Sequence, residues 1–142
     1  MKVMKYFLLI MTMFGLFTAN VHANELTSEQ YHVLQAVVQQ EGGYEYENAL
    51  WVMSTIKNRV DDERFPDTYW EVITQDGQFE SYLASHYEKH LGNIDKDVAR
   101  AIEDVMKNGS VHDYLFFYAD WYAQQVGRLG VSHGGNTYFK EY

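Results

Sequence analysis

The chain of 142 residues contains no cysteine and only one proline. Without cysteine it can form no disulfide and has no thiol nucleophile, which excludes the Cys–His peptidases. Basic residues are also scarce: 11 Lys and Arg stand against 20 Asp and Glu, and the formal charge is −9. Because nucleic-acid binding needs a basic surface that neutralises phosphates, we expect no nucleic-acid partner.

Aromatic residues, in contrast, make up 16% of the chain and include 12 tyrosines. The side chains of Tyr and Trp combine an apolar ring with a polar atom, which suits contact with sugar rings. Most aromatic residues in a small domain nevertheless fill its core. The composition therefore permits a carbohydrate-binding surface without requiring one.

The N-terminus has the pattern of an export signal. Lys2 and Lys5 precede an apolar run from Tyr6 to Phe17, and Val21-His22-Ala23 is a small-x-small cleavage site. The apolar run is short for a membrane span. Retention of this segment as an anchor is the alternative to cleavage.

These features predict a signal peptide at residues 1–23 and a mature protein that begins near Asn24. No internal repeat or linker divides the rest, so we predict one catalytic domain at residues 24–142. We expect it to be secreted or periplasmic, in the cell envelope, with no transmembrane segment after cleavage.

Helical periodicity, caps and breakers predict a mainly helical body. The predicted helices are Ser28–Glu41 after a capping box at Thr27, Glu45–Val60, a short helix capped by Asp67 and ending near Thr74, Ser81–His90, and a helix from Asp95 to about Asn108. Two aromatic runs, 114–118 and 136–139, predict strands separated by a Gly-rich loop. The predicted fold class is α+β, with a small β element near the C-terminus.

Glu41 occupies a distinctive position on the first predicted helix. It follows Leu34, Val37 and Val38 at helical spacing and so lies on their inward face. Burial and the negative end of the helix dipole both raise the pKa of a carboxyl group there. A carboxylic acid that stays protonated near neutral pH suits general-acid cleavage of a glycosidic bond. A frayed helix end that reaches solvent is the structural alternative.

The neighbouring acids and a histidine pair carry weaker signals. Glu45 and Glu47 fall in the first turn of the next helix, where acids stabilise the helix dipole. His86 and His90 share a helix face and could bind zinc, but Tyr87 stands where a zincin has its glutamate. We therefore predict two exposed histidines, no metal site and no cofactor.

Several motifs together resemble a known family. They are "VVQQEGG", "ALWVMSTIKNRV", "RFPDTYWEVITQDGQF", "YLFFYA" and "GGNTYFK". Their order and spacing across residues 31–140 are similar to the cell wall hydrolase family of spore cortex-lytic enzymes. The resemblance implies a lysozyme-like fold, cleavage of peptidoglycan glycan strands, and Glu41 at the position of the catalytic glutamate.

The resemblance also suggests substrate contacts. Gln78 and Phe79 match the family's "QF" pair beside the cleft, and Tyr118 and Asn136 are further candidates. The alternatives are a loop-closing hydrogen bond for Gln78 and a core position for Phe79. The chain departs from the family pattern at Ala119, where the family has Asn, and at Asn136, where it has His.

Three hypotheses of function follow. The first is an exported lytic transglycosylase that cuts the bond between N-acetylmuramic acid (MurNAc) and N-acetylglucosamine (GlcNAc) with a single glutamate. The second is a two-carboxylate hydrolase of the same bond, with Asp76 or Glu80 as the second acid. The third is a non-catalytic glycan-binding or structural envelope protein. A protein partner for targeting is a further hypothesis, because the sequence shows no separate wall-binding domain.

Overall fold

A computed structural model of the chain describes residues 26–141, so the predicted signal peptide lies outside the described residues. The helices are α1 (Ser28–Gly42), α2 (Tyr46–Asp61), α3 (Tyr69–Thr74), α4 (Glu80–Leu83), a 3-10 helix (His86–His90), α5 (Lys96–Asn108) and α6 (Asp120–Gln125). The strands are β1 (Phe116–Ala119), β2 (Val131–His133) and β3 (Asn136–Phe139). None of the helices between residues 26 and 141 is long and apolar enough to cross a membrane.

Helix α1 begins and ends where its sequence signals predict. The backbone N–H of Gln30 donates to Thr27 Oγ1 (3.1 Å), and the N–H of Thr27 donates to Gln30 Oε1 (3.0 Å), which confirms the capping box. At the other end, Gly43 has φ 78°. This left-handed conformation favours glycine and turns the chain sharply just after Glu41.

The main core lies among α1, α2, α3 and α5. Its fully buried members include Leu34, Val37, Val38, Ala49, Val52, Met53, Ile56, Val72, Ile73, Val98, Ala101, Ile102 and Val105. Their helical spacing places them on one face of each helix, as the periodicity predicts. Burial of these faces fixes the position of the C-terminal end of α1, which carries Glu41.

The strands form a three-stranded antiparallel sheet in the order β1-β3-β2. Leu115, with Phe116 of β1 and Phe139 of β3, forms a second, smaller core cluster. Helix α2 positions this sheet, because Asn58 Nδ2 donates to the carbonyls of His112 and Tyr114 at 2.9 Å each. The α+β class, with a helical body and a small C-terminal β element, is confirmed.

The prediction of one helix over 81–90 is wrong. The segment instead contains the four-residue helix α4 and a 3-10 helix, with Ser85 at φ 57° between them. His86 is exposed, but His90 is buried, contrary to the prediction of two exposed histidines. Periodicity missed this break because neither glycine nor proline marks it.

Two other boundaries also differ from prediction. Thr68, and not Asp67, caps α3: its side chain accepts a hydrogen bond from the backbone N–H of Glu71. The segment between the two predicted strands is predicted as a Gly-rich loop, but it contains helix α6 and a third strand, β2. Strand β2 has only three residues, too few for an alternating pattern to be recognised.

Candidate active site

A cleft of about 620 Å³ runs along the C-terminal end of α1. It is lined by Glu41, Arg59, Gly77, Gln78, Phe79, Glu80, Leu83, Phe117, Tyr118, Ala119, Trp121 and Tyr122. These residues come from α1, α2, the 77–83 segment and the β1–α6 segment. The volume is typical of a site for a small molecule or a short stretch of polymer.

Glu41 is partly buried at the edge of this cleft. Leu34, Val37 and Val38, on the same face of α1, are completely buried. Burial raises the pKa of the Glu41 carboxyl group above its usual range, and the negative charge of Glu80 raises it further. The inward position predicted from the helix phase is therefore observed.

Two other residues, Ser81 and His86, lower the pKa of Glu41. The hydroxyl and backbone N–H of Ser81 stabilise the carboxylate and lower its pKa, as does the charge of His86. The Ser81 hydroxyl is buried, yet among the described residues it has no partner with good hydrogen-bond geometry. Its contact with Glu41 is accordingly weak in this conformation, so the effect of burial on the pKa of Glu41 is the larger one.

Asn136 connects Glu41 to the sheet. Its side-chain Nδ2 donates to the backbone carbonyl of Glu41 at 3.2 Å, which satisfies one of the free carbonyls at the end of α1. Asn136 is buried and is not among the residues that line the cleft. Its amide thus contacts the backbone of the candidate acid, whereas the sequence suggested a contact with substrate.

The two departures from the family pattern lie side by side. Ala119 on β1 pairs directly with Asn136 on β3. Directly paired residues of an antiparallel sheet place their side chains next to each other on one face. An amide at position 136 therefore occupies the same region of the sheet as an amide at position 119 would.

The other three predicted substrate contacts line the cleft. Gln78 and Tyr118 are partly exposed there, while Phe79 is only 2% exposed and belongs mainly to the core. The guanidinium of Arg59 lies 5.2 Å from the ring centre of Phe79, and Arg59 Nε donates to the Leu115 carbonyl at 2.6 Å. Phe79 and Arg59 thus form a buried, packed base beneath the more exposed side chains of the cleft.

The cleft residues that sequence reasoning missed include Leu83, Trp121 and Tyr122. Leu83 is the last residue of α4, which is only four residues long. Trp121 and Tyr122 belong to α6, where the sequence predicts a loop. Asp120, which begins that helix immediately after a strand, is the one signal that could have indicated it. Of the two proposed second acids, Glu80 lines the cleft and Asp76 does not.

His90 of the histidine pair forms hydrogen bonds with two glutamine side chains. His90 Nδ1 accepts from Gln39 Nε2 at 3.0 Å, and His90 Nε2 donates to Gln40 Oε1 at 2.8 Å. Burial lowers the pKa of His90, in keeping with a neutral ring. Within residues 26–141, no three His, Asp or Glu side chains are grouped closely enough to hold a metal ion.

Comparisons with known proteins agree with this architecture. The sequence profile of the family described as Cell Wall Hydrolase matches residues 43–139, a segment that begins just after Glu41. The catalytic domain of the germination-specific lytic transglycosylase SleB from Bacillus anthracis superposes with a TM-score of 0.67 and 19% identity, over 82% of this chain and 98% of that one. The catalytic domain of the Bacillus cereus SleB protein superposes with a TM-score of 0.64 and 18% identity, over 82% and 94%. No curated protein sequence matches the chain significantly.

Proposed function

Because the chain belongs to the cell wall hydrolase family, we propose that it is an exported lytic transglycosylase that cuts the MurNAc–GlcNAc bond of peptidoglycan, with Glu41 as its single acid and base. Family membership confirms the resemblance found in the motifs and makes the chain a cell-wall-cleaving enzyme. The reaction type is supported by the SleB domain of Bacillus anthracis, which is described as a lytic transglycosylase and shares the fold.

The observation that carries the proposal is the position of Glu41. Its carboxyl group lies at a cleft large enough for part of a glycan strand, and burial raises its pKa. A raised pKa keeps the proton on the acid at a pH at which an exposed glutamate has lost it. The hydrogen bond from Asn136 to the Glu41 carbonyl and the turn at Gly43 hold the backbone that follows this acid.

The proposed reaction uses the Glu41 carboxyl group twice, first as an acid and then as a base. Protonated Glu41 donates to the oxygen of the glycosidic bond as that bond breaks, and GlcNAc leaves as an alcohol. The resulting carboxylate then accepts the proton of the 6-hydroxyl of MurNAc as O6 forms a bond to C1. This step closes a 1,6-anhydro ring, restores protonated Glu41 and consumes no water.

A second candidate is hydrolysis of the same bond with Glu80 as base. It is favoured by the presence of Glu80 in the cleft with Glu41. In that reaction Glu80 activates a water molecule, so that the product has an ordinary reducing end. The position of Asp76 outside the cleft lining gives no support to its use as the second acid.

Product masses distinguish the two candidates. Purified peptidoglycan is digested with the wild-type protein and with Glu41→Gln, and the soluble fragments are measured by mass spectrometry. A lytic transglycosylase releases fragments lighter by one water than the hydrolysed ones, and Glu41→Gln releases almost none. Fragments with reducing ends, lost on Glu80→Gln, would instead establish the hydrolase.

A further inference from the structure

The cleft contains an aromatic surface whose role the chemistry of Glu41 does not explain. Trp121 and Tyr122 on α6, together with Tyr118 on β1, line the same cleft as Glu41. The rings of Trp121 and Tyr122 lie edge to face at 5.6 Å, and those of Tyr122 and Tyr118 at 5.0 Å. We refer to these three residues as the aromatic wall.

Exposure of Trp121 is the first argument for a ligand at this wall. Its side chain is 69% exposed, whereas Trp51 and Trp70 are partly buried. A single exposed apolar residue is ordinary on a protein surface, but a group of exposed aromatic rings inside a cleft marks a binding surface. Tyr122 is also 39% exposed, so two neighbouring rings are accessible.

The second argument is that the backbone beneath the exposed ring is firmly held. Asp120 accepts hydrogen bonds from Thr137 Oγ1 (2.6 Å) and Ser132 Oγ (2.7 Å), and its own backbone N–H donates to the Gly135 carbonyl (2.9 Å). The two side-chain hydrogen bonds lower the pKa of Asp120 and keep it charged. They tie the start of α6 to β2 and β3, so Trp121 projects from a fixed point.

The chemistry of the wall selects its ligand. Aromatic rings offer flat apolar faces with a polar edge at Tyr and Trp, which match the C–H face and the hydroxyl edge of a pyranose ring. The acids of the cleft lining are Glu41 and Glu80, and its one basic residue, Arg59, is only 4% exposed. An uncharged amino-sugar ring therefore fits this surface better than an anionic group does.

We propose that the aromatic wall, with Trp121 as its most exposed ring, is a stacking site that binds one sugar ring of the glycan strand and thereby positions the neighbouring glycosidic bond at Glu41. This inference rests on the proposed function for the identity of the strand. The binding itself is independent of cleavage and can be measured separately.

The test uses Glu41→Gln protein, which binds the strand without cutting it. Peptide-free glycan strands prepared from peptidoglycan are titrated into Glu41→Gln and into the same protein carrying Trp121→Ala, Trp121→Phe or Leu129→Ala, with calorimetric detection. Leu129 is the matched control, since it is 89% exposed and is not part of the cleft lining. Thermal unfolding of each variant verifies that the fold is retained.

We expect Trp121→Ala to weaken binding about tenfold or more, as truncation of an aromatic anchor residue does. Trp121→Phe keeps a ring and should retain most of the affinity, and Leu129→Ala should bind like the parent. Equal affinity of Trp121→Ala and its parent, or no binding by the parent, would overturn the proposal. Failure of the wild-type protein to cut peptidoglycan, with Trp121-dependent binding intact, would overturn the proposed function and leave the stacking site supported.

Discussion

At the scale of single residues, Glu41 differs from Glu45 and Glu47 in its surroundings and not in its chemistry. Glu45 and Glu47 are exposed at the start of α2, while Glu41 is partly buried at the cleft. Because burial raises the pKa of the Glu41 carboxyl group, Glu41 suits general-acid catalysis better than an exposed glutamate does.

Replacement of these three acids should separate their roles. Glu41→Gln removes the exchangeable proton and should lower peptidoglycan cleavage by about 10²–10⁴-fold, the usual contribution of general acid–base catalysis. Glu45→Gln and Glu47→Gln should alter the rate only slightly, because acids in a first turn contribute at most about 1 kcal/mol to their helix. Turbidity loss of a peptidoglycan suspension measures all three, and a normal rate for Glu41→Gln would refute its role.

The second prediction at this scale is that Glu80→Gln changes the pH dependence of peptidoglycan cleavage. The groups that act on the pKa of Glu41 besides burial are Ser81 and His86, which lower it, and Glu80, which raises it. A protonated acid is required, so activity should fall as pH rises through the raised pKa of Glu41. Glu80→Gln removes one cause of the increase, so this fall should begin at lower pH.

The size of this shift should depend on salt, since Glu80 is exposed and its charge is screened. Rates of peptidoglycan cleavage measured across pH at low and high ionic strength provide the test. Loss of all activity in Glu80→Gln at every pH would contradict a purely electrostatic role and favour the two-carboxylate hydrolase.

At the scale of secondary-structure elements, side-chain contacts at the C-terminal end of α1 hold the helix that carries Glu41. The side chain of His90, in the 3-10 helix, joins Gln39 and Gln40 near the end of α1. Gln39 also donates to the Asn93 carbonyl and accepts from the Asp95 backbone N–H. This buried network links the last turns of α1 to the start of α5 and so supports the position of Glu41.

The unfolding free energies of His90→Ala and of its control, His86→Ala, test how much this network stabilises the fold. His90→Ala leaves buried amide groups without a partner, which should cost about 1–3 kcal/mol of unfolding free energy. His86→Ala removes an exposed ring and should change it by less than about 0.5 kcal/mol. Urea unfolding at neutral pH measures both values, and equal values would show that the His90 network contributes no stability.

The pKa of His90 gives this stability a pH dependence. Burial lowers the pKa of the folded state, so unfolded His90 binds protons at a pH at which folded His90 does not. The contribution of His90 is therefore present above the pKa of an unfolded histidine and declines as pH falls below it. The difference between wild type and His90→Ala should shrink on acidification.

At the scale of the whole molecule, the charge and the N-terminus bear on where the enzyme works. Residues 1–23 contain two lysines and no acid, and the remainder of the chain is strongly acidic. We predict that the protein recovered from the cell envelope begins near Asn24, as determined by N-terminal sequencing. An intact Met1 on protein from the cytoplasm would contradict export and, with it, access to the wall.

Local sequence signals determined the three long helices α1, α2 and α5 and the inward position of Glu41. The apolar spacing of Leu34, Val37 and Val38, the cap at Thr27 and the turn at Gly43 all act within a few residues along the chain. Such signals are therefore visible without knowledge of the fold. They predicted α1, α2 and α5 closely, together with the aromatic strands β1 and β3.

Only the tertiary structure brought distant residues to Glu41. Asn136 contacts its backbone across 95 positions of sequence, and Trp121 and Glu80 join it in one cleft through the packing of the sheet against α1 and α2. No periodic pattern encodes these contacts, because they depend on how separate elements pack and not on the period of any one of them. The candidate acid was therefore predictable from a single helix, whereas the surface that surrounds it was decided by the fold.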